Sequence, residues 1–276
     1  MRIVLTLTLL ATLTGCGGRE SGAAHRPRVA AAFYPLAFAA EQIGGAHVDV
    51  WNVTPPGAEP HDAELSARTA ERVRASELVL YLGDFQPALE QALEGARGRT
   101  LDALEGLTLR ERDPHVWLDP LRYATIVRRL GGALEQPRRA AAFEQKLQAL
   151  DRAFRRGLRR CERRAIVTSH AAFGYLAERY RLEQISLGGL APEGEPTPRE
   201  LERVVSAIRD QRATTIYVEP LLSPRLAQTV ARETSARVAV LNPLEGLTEG
   251  ELERGDDYFS IMRRNLEALR QGLGCR

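Results

Sequence analysis

Short apolar segments rich in β-branched residues alternate with helical patterns along almost the whole chain, and this alternation most constrains the fold. The segments predicted as strands are residues 28–33, 48–53, 78–82, 165–169, 214–218 and 237–241. Between the segments 165–169 and 214–218, residues 199–210 have apolar side chains at i, i+3, i+4 and i+7, preceded by a capping-box pattern from Thr197 to Glu200. Ser223-Pro224 is expected to begin another helix in the same way, and an apolar face predicts the last helix over Tyr258–Leu273. Strand–helix alternation of this kind predicts an α/β fold with parallel sheets.

One segment, residues 136–160, interrupts the alternation because it contains no strand signal. It has an apolar stripe on an otherwise polar pattern, which predicts one long and largely exposed helix of roughly 37 Å; the stripe is Phe143, Leu147, Leu150, Phe154 and Leu158. This helix divides the chain into residues 28–135 and 161–276. We therefore predict two (βα)-type lobes, with parallel-rich sheets, joined by one long rigid helix.

The composition excludes several classes of protein. With 276 residues, 44% of them hydrophobic and 27% charged, the chain has enough apolar surface to fold, so it is not disordered. Lys and Arg number 38 against 36 Asp and Glu, and a net charge of +2 gives no basic field typical of nucleic-acid binding. Only the first residues form an apolar run long enough to be considered for insertion into a membrane, so a multi-span membrane protein is also excluded.

The N-terminal residues are typical of a signal sequence for export. Arg2 precedes the apolar run 3–13, which is too short to span a bilayer, so we expect a signal peptide over 1–15. The sequence Leu13-Thr14-Gly15-Cys16 resembles the bacterial lipobox, which predicts lipidation at Cys16, a flexible tether over 16–27 and an extracytoplasmic location on a membrane. The alternative is an ordinary signal peptide with an incidental cysteine.

The other two cysteines, Cys161 and Cys275, form an even number in an oxidising compartment, so a disulfide between them is expected. The alternative is two free thiols or metal ligands. Neither cysteine has the CxxC or CxxH spacing of a common metal site, which weakens that alternative.

Three histidines lie in loops rich in proline or directly after a predicted strand. His61 follows the strand that ends near Val53, His115 lies in a loop flanked by prolines, and His170 directly follows residues 165–169. Ligands of open α/β sheets bind beyond the carboxyl ends of the strands, and neutral imidazole is a common metal ligand. We therefore predict a metal site in the cleft between the lobes, with no role for His25 or His47. Asp62 and Asp119 are near enough in sequence to be candidates for orienting the imidazoles.

A fourth ligand is expected from a strand end in the second lobe. Glu219 and Glu245 both have a suitable position, and the residues alone leave the choice open.

The chain resembles the zinc/manganese solute-binding lipoproteins of bacterial ABC importers across essentially all of residues 28–276. The motifs that carry this resemblance are Phe33-Tyr34-Pro35-Leu36, Pro55-Pro56-Gly57-Ala58-Glu59-Pro60-His61-Asp62, Asp113-Pro114-His115-Val116-Trp117-Leu118-Asp119-Pro120, Thr168-Ser169-His170, Asn242-Pro243-Leu244-Glu245-Gly246-Leu247-Thr248 and Gly255-Asp256-Asp257-Tyr258. The family fold that this implies has two (βα)-type lobes joined by a long rigid helix.

The resemblance implies metal ligation by His61, His115 and His170, with Glu245 as the fourth ligand and Glu219 as a support of the cleft wall. Three imidazoles and one carboxylate suit Zn²⁺ better than Mn²⁺, so zinc is the expected cargo and manganese the alternative. Binding is expected to weaken below about pH 6.5, as the histidines become protonated. The histidine-rich loop of many zinc members is absent, because residues 62–114 contain no histidine.

The function implied is capture of Zn²⁺ outside the cytoplasm and delivery to an ABC permease and its ATPase, by a monomer that is not an enzyme. Two other classes remain as alternatives. A zinc hydrolase requires Glu245 to be free as a general base, and a surface adhesin would use the metal only to stabilise its fold.

Overall fold

A computed structural model of the protein describes residues 25–111, 113–192 and 196–276. Over these ranges, eight strands form two four-stranded sheets, and every strand pair is parallel. The first sheet has the order β2-β1-β3-β4, from β1 (Arg28–Ala31), β2 (Asp49–Asn52), β3 (Leu78–Tyr81) and β4 (Arg99–Asp102). The second has the equivalent order β6-β5-β7-β8, from β5 (Ala165–Thr168), β6 (Glu183–Ser186), β7 (Thr215–Val218) and β8 (Arg237–Val240).

Helices connect the strands and cover both sheets. They are α1 (Tyr34–Gly44), α2 (Ala67–Arg74), α3 (Pro87–Leu93), α4 (Pro120–Ala133), α5 (Pro137–Gly157), α6 (Gly174–Tyr180), α7 (Pro198–Asp210), α8 (Arg225–Thr234), α9 (Glu249–Glu253) and α10 (Tyr258–Leu273). This architecture confirms the predicted α/β fold with two parallel lobes and a long helix in the middle of the chain.

Two strands were not predicted from the sequence, β4 and β6. Each lies at one edge of its sheet, and their sequences, Arg-Thr-Leu-Asp and Glu-Gln-Ile-Ser, contain only one strongly apolar residue each. An edge strand pairs on one side only and is half exposed, so it needs no continuous apolar run.

The long helix α5 begins at Pro137, one residue after the predicted start, and ends at Gly157 rather than near residue 160. Its 21 residues therefore span about 32 Å. Beyond it, the chain turns so that Cys161 forms a short antiparallel bridge with Cys275, and the two are joined in a disulfide across 114 residues. This bond connects the segment after α5 to the segment after α10.

The C-terminal helix α10 packs against elements of the first half of the chain. The Phe259 ring lies 5.4 Å from that of Phe143 on α5 and 6.1 Å from that of Phe38 on α1. The Tyr258 hydroxyl donates a hydrogen bond of 2.7 Å to the carbonyl of Trp117. One apolar core thus continues across both halves of the chain. The division of the chain into lobes at 28–135 and 161–276, joined by a linking helix at 136–160, stays a prediction.

Helix capping follows the sequence at one of two predicted sites. At the start of α7, the Thr197 hydroxyl accepts from the backbone N–H of Glu200, whose carboxylate accepts from the N–H of Thr197. At α8 the capping prediction for Ser223-Pro224 is wrong, because Pro224 is the N-cap and has no side-chain hydrogen bond. A proline ring has no polar atom with which to cap.

No helix in the described ranges is both long enough and apolar enough to cross a bilayer. The predicted signal peptide 1–15, the lipidation site Cys16 and the tether as far as residue 24 lie outside the described residues.

Candidate metal centre

Three histidines and one glutamate meet beyond the carboxyl ends of the strands, on loops that follow β2, β4, β5 and β8. Ligand atoms of His61, His115, His170 and Glu245 all lie within 4.8 Å of one another. Oε1 of Glu245 lies 3.0 Å from Nε2 of His115, 3.2 Å from Nε2 of His170 and 3.4 Å from Nε2 of His61. The structure therefore brings together the four residues that the sequence singled out.

The spacing of these four atoms fits a single tetrahedral ion. Two ligand atoms each about 2.0–2.1 Å from a tetrahedral Zn²⁺ lie about 3.3–3.4 Å apart, which is close to the three distances from Glu245. Nε2 of His115 is buried and, among the described residues, has no hydrogen-bond partner of good geometry. A buried nitrogen of this kind is costly unless something binds it, so the arrangement suits a cation at its centre.

His170 is held by Glu219, which follows the neighbouring strand. In the pairing of β5 with β7, Thr168 lies beside Tyr217, so His170 and Glu219 each come two residues after a paired position. The backbone N–H of His170 donates to Oε1 of Glu219 over 3.1 Å, and its Nδ1 lies 2.6 Å from Oε2. This contact turns Nε2 of the imidazole towards Glu245.

His115 is oriented in the same way by Asp113. Oδ1 of Asp113 accepts from the backbone N–H of His115 over 2.9 Å and lies 2.7 Å from its Nδ1. The loop is fixed to the second lobe, because the Tyr175 hydroxyl donates to the carbonyl of Asp113 over 2.8 Å. It is also fixed through Trp117, whose indole N–H donates to the carbonyl of Pro243 over 2.7 Å.

The loop that carries Glu245 is positioned by a buried network of amides. Asn242 accepts from the backbone N–H of Leu244 over 2.7 Å and donates to Glu251 over 2.8 Å. Asn265 on α10 donates to the carbonyl of Asn242 and accepts from its N–H. Leu244 has a positive φ of 62°, a conformation that leucine rarely adopts, and the network holds it there immediately before Glu245.

His61 lies in the loop after β2 and is held by Glu59 and Phe85. Its backbone N–H donates to Oε1 of Glu59 over 3.0 Å, and its ring packs edge-on against Phe85 at 4.6 Å between centroids. Burial raises the pKa of Glu59 to about 7, and the nearby charge of Glu245 adds to this effect.

The carboxylates shift the pKa of two of the imidazoles. Burial disfavours charge on His115, but the neighbouring carboxylates of Asp113 and Glu245 outweigh it and raise the pKa. Burial is likewise outweighed at His170, where Glu219 and Glu245 raise the pKa to about 10. Burial alone would raise the pKa of Glu245, yet the three histidines beside its carboxylate hold that pKa well below its usual range.

Three carboxylates are buried around the place where the four ligand atoms converge. Glu245, Asp113 and Glu219 are 1%, 4% and 4% exposed. Buried negative charges require compensation, which protons on the imidazoles or a bound cation can provide. The centre is suited chemically to exchange protons for a divalent ion.

Several residues have roles that the sequence did not assign. Asp62 and Asp119 were the candidates for orienting the imidazoles, but Asp62 is exposed. Asp119 caps α4 through the N–H of Leu121 and binds Arg179. The orienting carboxylates are Asp113 and Glu219, so Glu219 contacts an imidazole directly rather than only supporting the wall.

Of the remaining histidines, His47 is exposed and His25 lies 2.9 Å from Glu77, both outside the centre. The roles of Asn242 and Asn265 were also missed. The only signal for Asn242 was its place in the motif Asn242-Pro243-Leu244-Glu245.

Comparisons with known proteins identify zinc-binding relatives. Residues 29–272 match the model of the ZnuA family, described as zinc-uptake complex component A, periplasmic. The zinc-binding lipoprotein AdcA of Streptococcus pneumoniae is 31% identical over 291 residues, which cover 94% of this chain and 58% of that protein. The chain thus spans less than two thirds of the length of AdcA.

Two of the similar solved structures share the fold along all or nearly all of their length. The Zn(II)-bound ZnuA-like domain of S. pneumoniae AdcA superposes with a TM-score of 0.78 at 32% identity, covering 90% of this chain and 99% of that domain. The laminin-binding protein Lmb of Streptococcus agalactiae, described as bifunctional with adhesin and metal-transporting activity, has a TM-score of 0.83 at 27% identity, covering 90% of this chain and all of that one. With its family model, its relatives and its fold in agreement, this chain belongs to the ZnuA family of zinc-uptake proteins.

Proposed function

We propose that this chain binds one Zn²⁺ through His61, His115, His170 and Glu245 and acts as the solute-binding component of an ABC-type zinc importer. The observation that carries this proposal is the convergence of three imidazole Nε2 atoms within 3.0–3.4 Å of one carboxylate oxygen. The zinc-binding relatives support the choice of cargo.

The donor set favours zinc over manganese. Three nitrogen ligands and one oxygen suit a borderline-soft ion in tetrahedral geometry, whereas Mn²⁺ prefers more oxygen ligands. His115, His170 and Glu245 are also buried, so the centre is poorly accessible to the solvent water that an octahedral ion would need as additional ligands.

The position of Glu245 argues against a zinc hydrolase. A hydrolase needs an open coordination position for water and a free carboxylate to act as general base. Here Glu245 is 1% exposed and lies within 3.4 Å of all three imidazoles, so it would itself take the fourth position on a bound ion. The family is a zinc-uptake component rather than a family of enzymes.

The proposed partners are a membrane permease and its ATPase, which together would receive and move the ion. We propose that the chain works as a monomer outside the cytoplasm, held to the membrane by a lipid on Cys16. The lipoprotein relative supports this location. A metal-transporting relative that is also an adhesin keeps adhesion as an alternative, but no described residue of this chain marks a surface for a host ligand.

The proposal is tested by metal analysis of residues 17–276, with competition titrations for Zn²⁺ and Mn²⁺. We expect one tightly held zinc per chain, bound more weakly by His170→Ala and by Glu245→Ala. His47→Ala is the matched control, since His47 is exposed and outside the centre. Preferential retention of manganese would assign the chain to the other branch of the family, and absence of bound metal would overturn the proposal.

A further inference from the structure

The exposed face of α5 carries a row of cations that the zinc centre does not use. Arg138, Lys146, Arg152 and Arg156 are all exposed, whereas the buried residues of α5 lie on the opposite side of the helix. At 100° per residue, these four side chains point within about 80° of one direction. Arg159 and Arg160 are exposed just beyond the end of the helix, and we call these six residues the basic stripe.

The charges of the basic stripe are not neutralised by neighbours. Over the described ranges, none of its six side chains has an ion pair or a hydrogen bond. The two acidic residues within α5 lie away from this face, where Glu144 pairs with Arg128 at 2.6 Å and Asp151 pairs with Arg155 at 2.8 Å. The stripe carries six positive charges while the whole chain has a net charge of +2, so the rest of the chain is net negative.

The start of α5 and the point where the N-terminal segment joins the folded chain lie at the same end of the molecule. Pro27, just before β1, and Glu135, just before α5, line one cavity of about 310 Å³. Residues 17–27 separate Cys16 from β1, and eleven residues reach at most about 40 Å when fully extended. A lipid on Cys16 would therefore keep α5 within reach of the bilayer surface.

We propose that the basic stripe docks on the anionic phospholipid headgroups of the membrane to which the chain is anchored. This inference rests on the lipid anchor of the proposed function. Arginines near an anionic bilayer are attracted to it over about one Debye length, and a tether raises their effective concentration at the surface. α5 then lies flat on the membrane, and the metal centre, none of whose residues is on α5, stays off the surface.

The test uses residues 17–276 without lipid, so that binding reports the protein surface alone. Sedimentation with vesicles of phosphatidylcholine containing about 30% phosphatidylglycerol is compared with sedimentation on pure phosphatidylcholine, at low and high salt. The test variant combines Arg152→Gln, Arg156→Gln, Arg159→Gln and Arg160→Gln. The control removes the same charge from exposed positions on α7 and α8: Arg199→Gln, Arg203→Gln, Arg225→Gln and Arg232→Gln.

We expect salt-sensitive binding to the anionic vesicles only, reduced about tenfold or more in the test variant and much less in the control. Absence of binding to anionic vesicles, or equal losses in the two variants, would overturn the proposal. A zinc titration of each variant checks that it is folded and also separates the two proposals. If the chain binds zinc but not the anionic vesicles, only the proposal about the basic stripe is rejected. A chain that binds vesicles but no zinc rejects the zinc centre instead.

Discussion

His170 and Glu219 follow adjacent parallel strands and contact each other twice, through the backbone N–H and through Nδ1 of the imidazole. The contact through the backbone N–H fixes the main-chain position of His170, and the contact through Nδ1 fixes the orientation of its imidazole ring. Together they direct Nε2 to a point 3.2 Å from Oε1 of Glu245. The geometry of the centre thus depends on a residue that we do not place among the metal ligands.

The substitution Glu219→Gln is expected to weaken zinc binding about 10- to 100-fold without abolishing it. The glutamine amide keeps the shape of the glutamate side chain but not the charge that orients and polarises the imidazole ring of His170. Competition with a chelator of known zinc affinity measures this change. Glu202→Gln, at an exposed position on α7, is the matched control. Unchanged affinity in Glu219→Gln would mean that the contact does not tune the site.

Zinc affinity is expected to keep increasing with pH well above 6.5. The sequence alone placed the onset of proton competition near the ordinary pKa of histidine. The adjacent carboxylates raise the pKa of His115 and raise that of His170 to about 10, so zinc must displace protons at neutral pH. Titrations between about pH 6 and 9, with calorimetry in buffers of different ionisation enthalpy, should show proton release on binding. An affinity that is constant above about pH 7 would contradict this account.

The metal-free protein is expected to lose stability as pH rises above 6.5. The folded pKa of His170 is raised from 6.5 to about 10, so its stabilising contribution is complete below pH 6.5 and is lost as the pH rises through 10. Thermal unfolding at a series of pH values, with and without zinc, tests this expectation. The decline should be much smaller with zinc bound, because the ion replaces the proton, and similar slopes in both states would argue against it.

The disulfide between Cys161 and Cys275 is expected to stabilise the fold without affecting the metal centre. It closes a separation of 114 residues, for which chain entropy allows up to about 4–5 kcal/mol. Unfolding of Cys161→Ser with Cys275→Ser in guanidinium chloride measures the loss, and reduction of the unaltered protein should reproduce it. A free energy of unfolding that does not change, or a weaker zinc affinity, would contradict the expectation.

Much of the fold was predictable because buried parallel strands and amphipathic helices have distinct patterns. The last helix, Tyr258–Leu273, has the bounds expected from its apolar face. The edge strands β4 and β6 were missed because a strand that is half exposed needs no apolar run. The end of α5 was placed too late because the helical pattern continues through Leu158, although the chain turns there.

The four residues of the metal centre were predictable from their positions after strands and from the family resemblance. The residues that orient them were not, because their roles depend on contacts across the fold. Asp113 is two residues from His115, but Glu219 is 49 residues from His170 and becomes its neighbour only through the pairing of β5 with β7. Asn265 likewise reaches the loop of Glu245 from α10.

The central claim is tested most directly by the crystal structure of zinc-loaded residues 17–276, with anomalous diffraction on both sides of the zinc edge. The account predicts one strong anomalous peak, about 2.0–2.2 Å from Nε2 of His61, His115 and His170 and from a carboxylate oxygen of Glu245. A peak elsewhere, or zinc bound by the three histidines with Glu245 turned away, would contradict it.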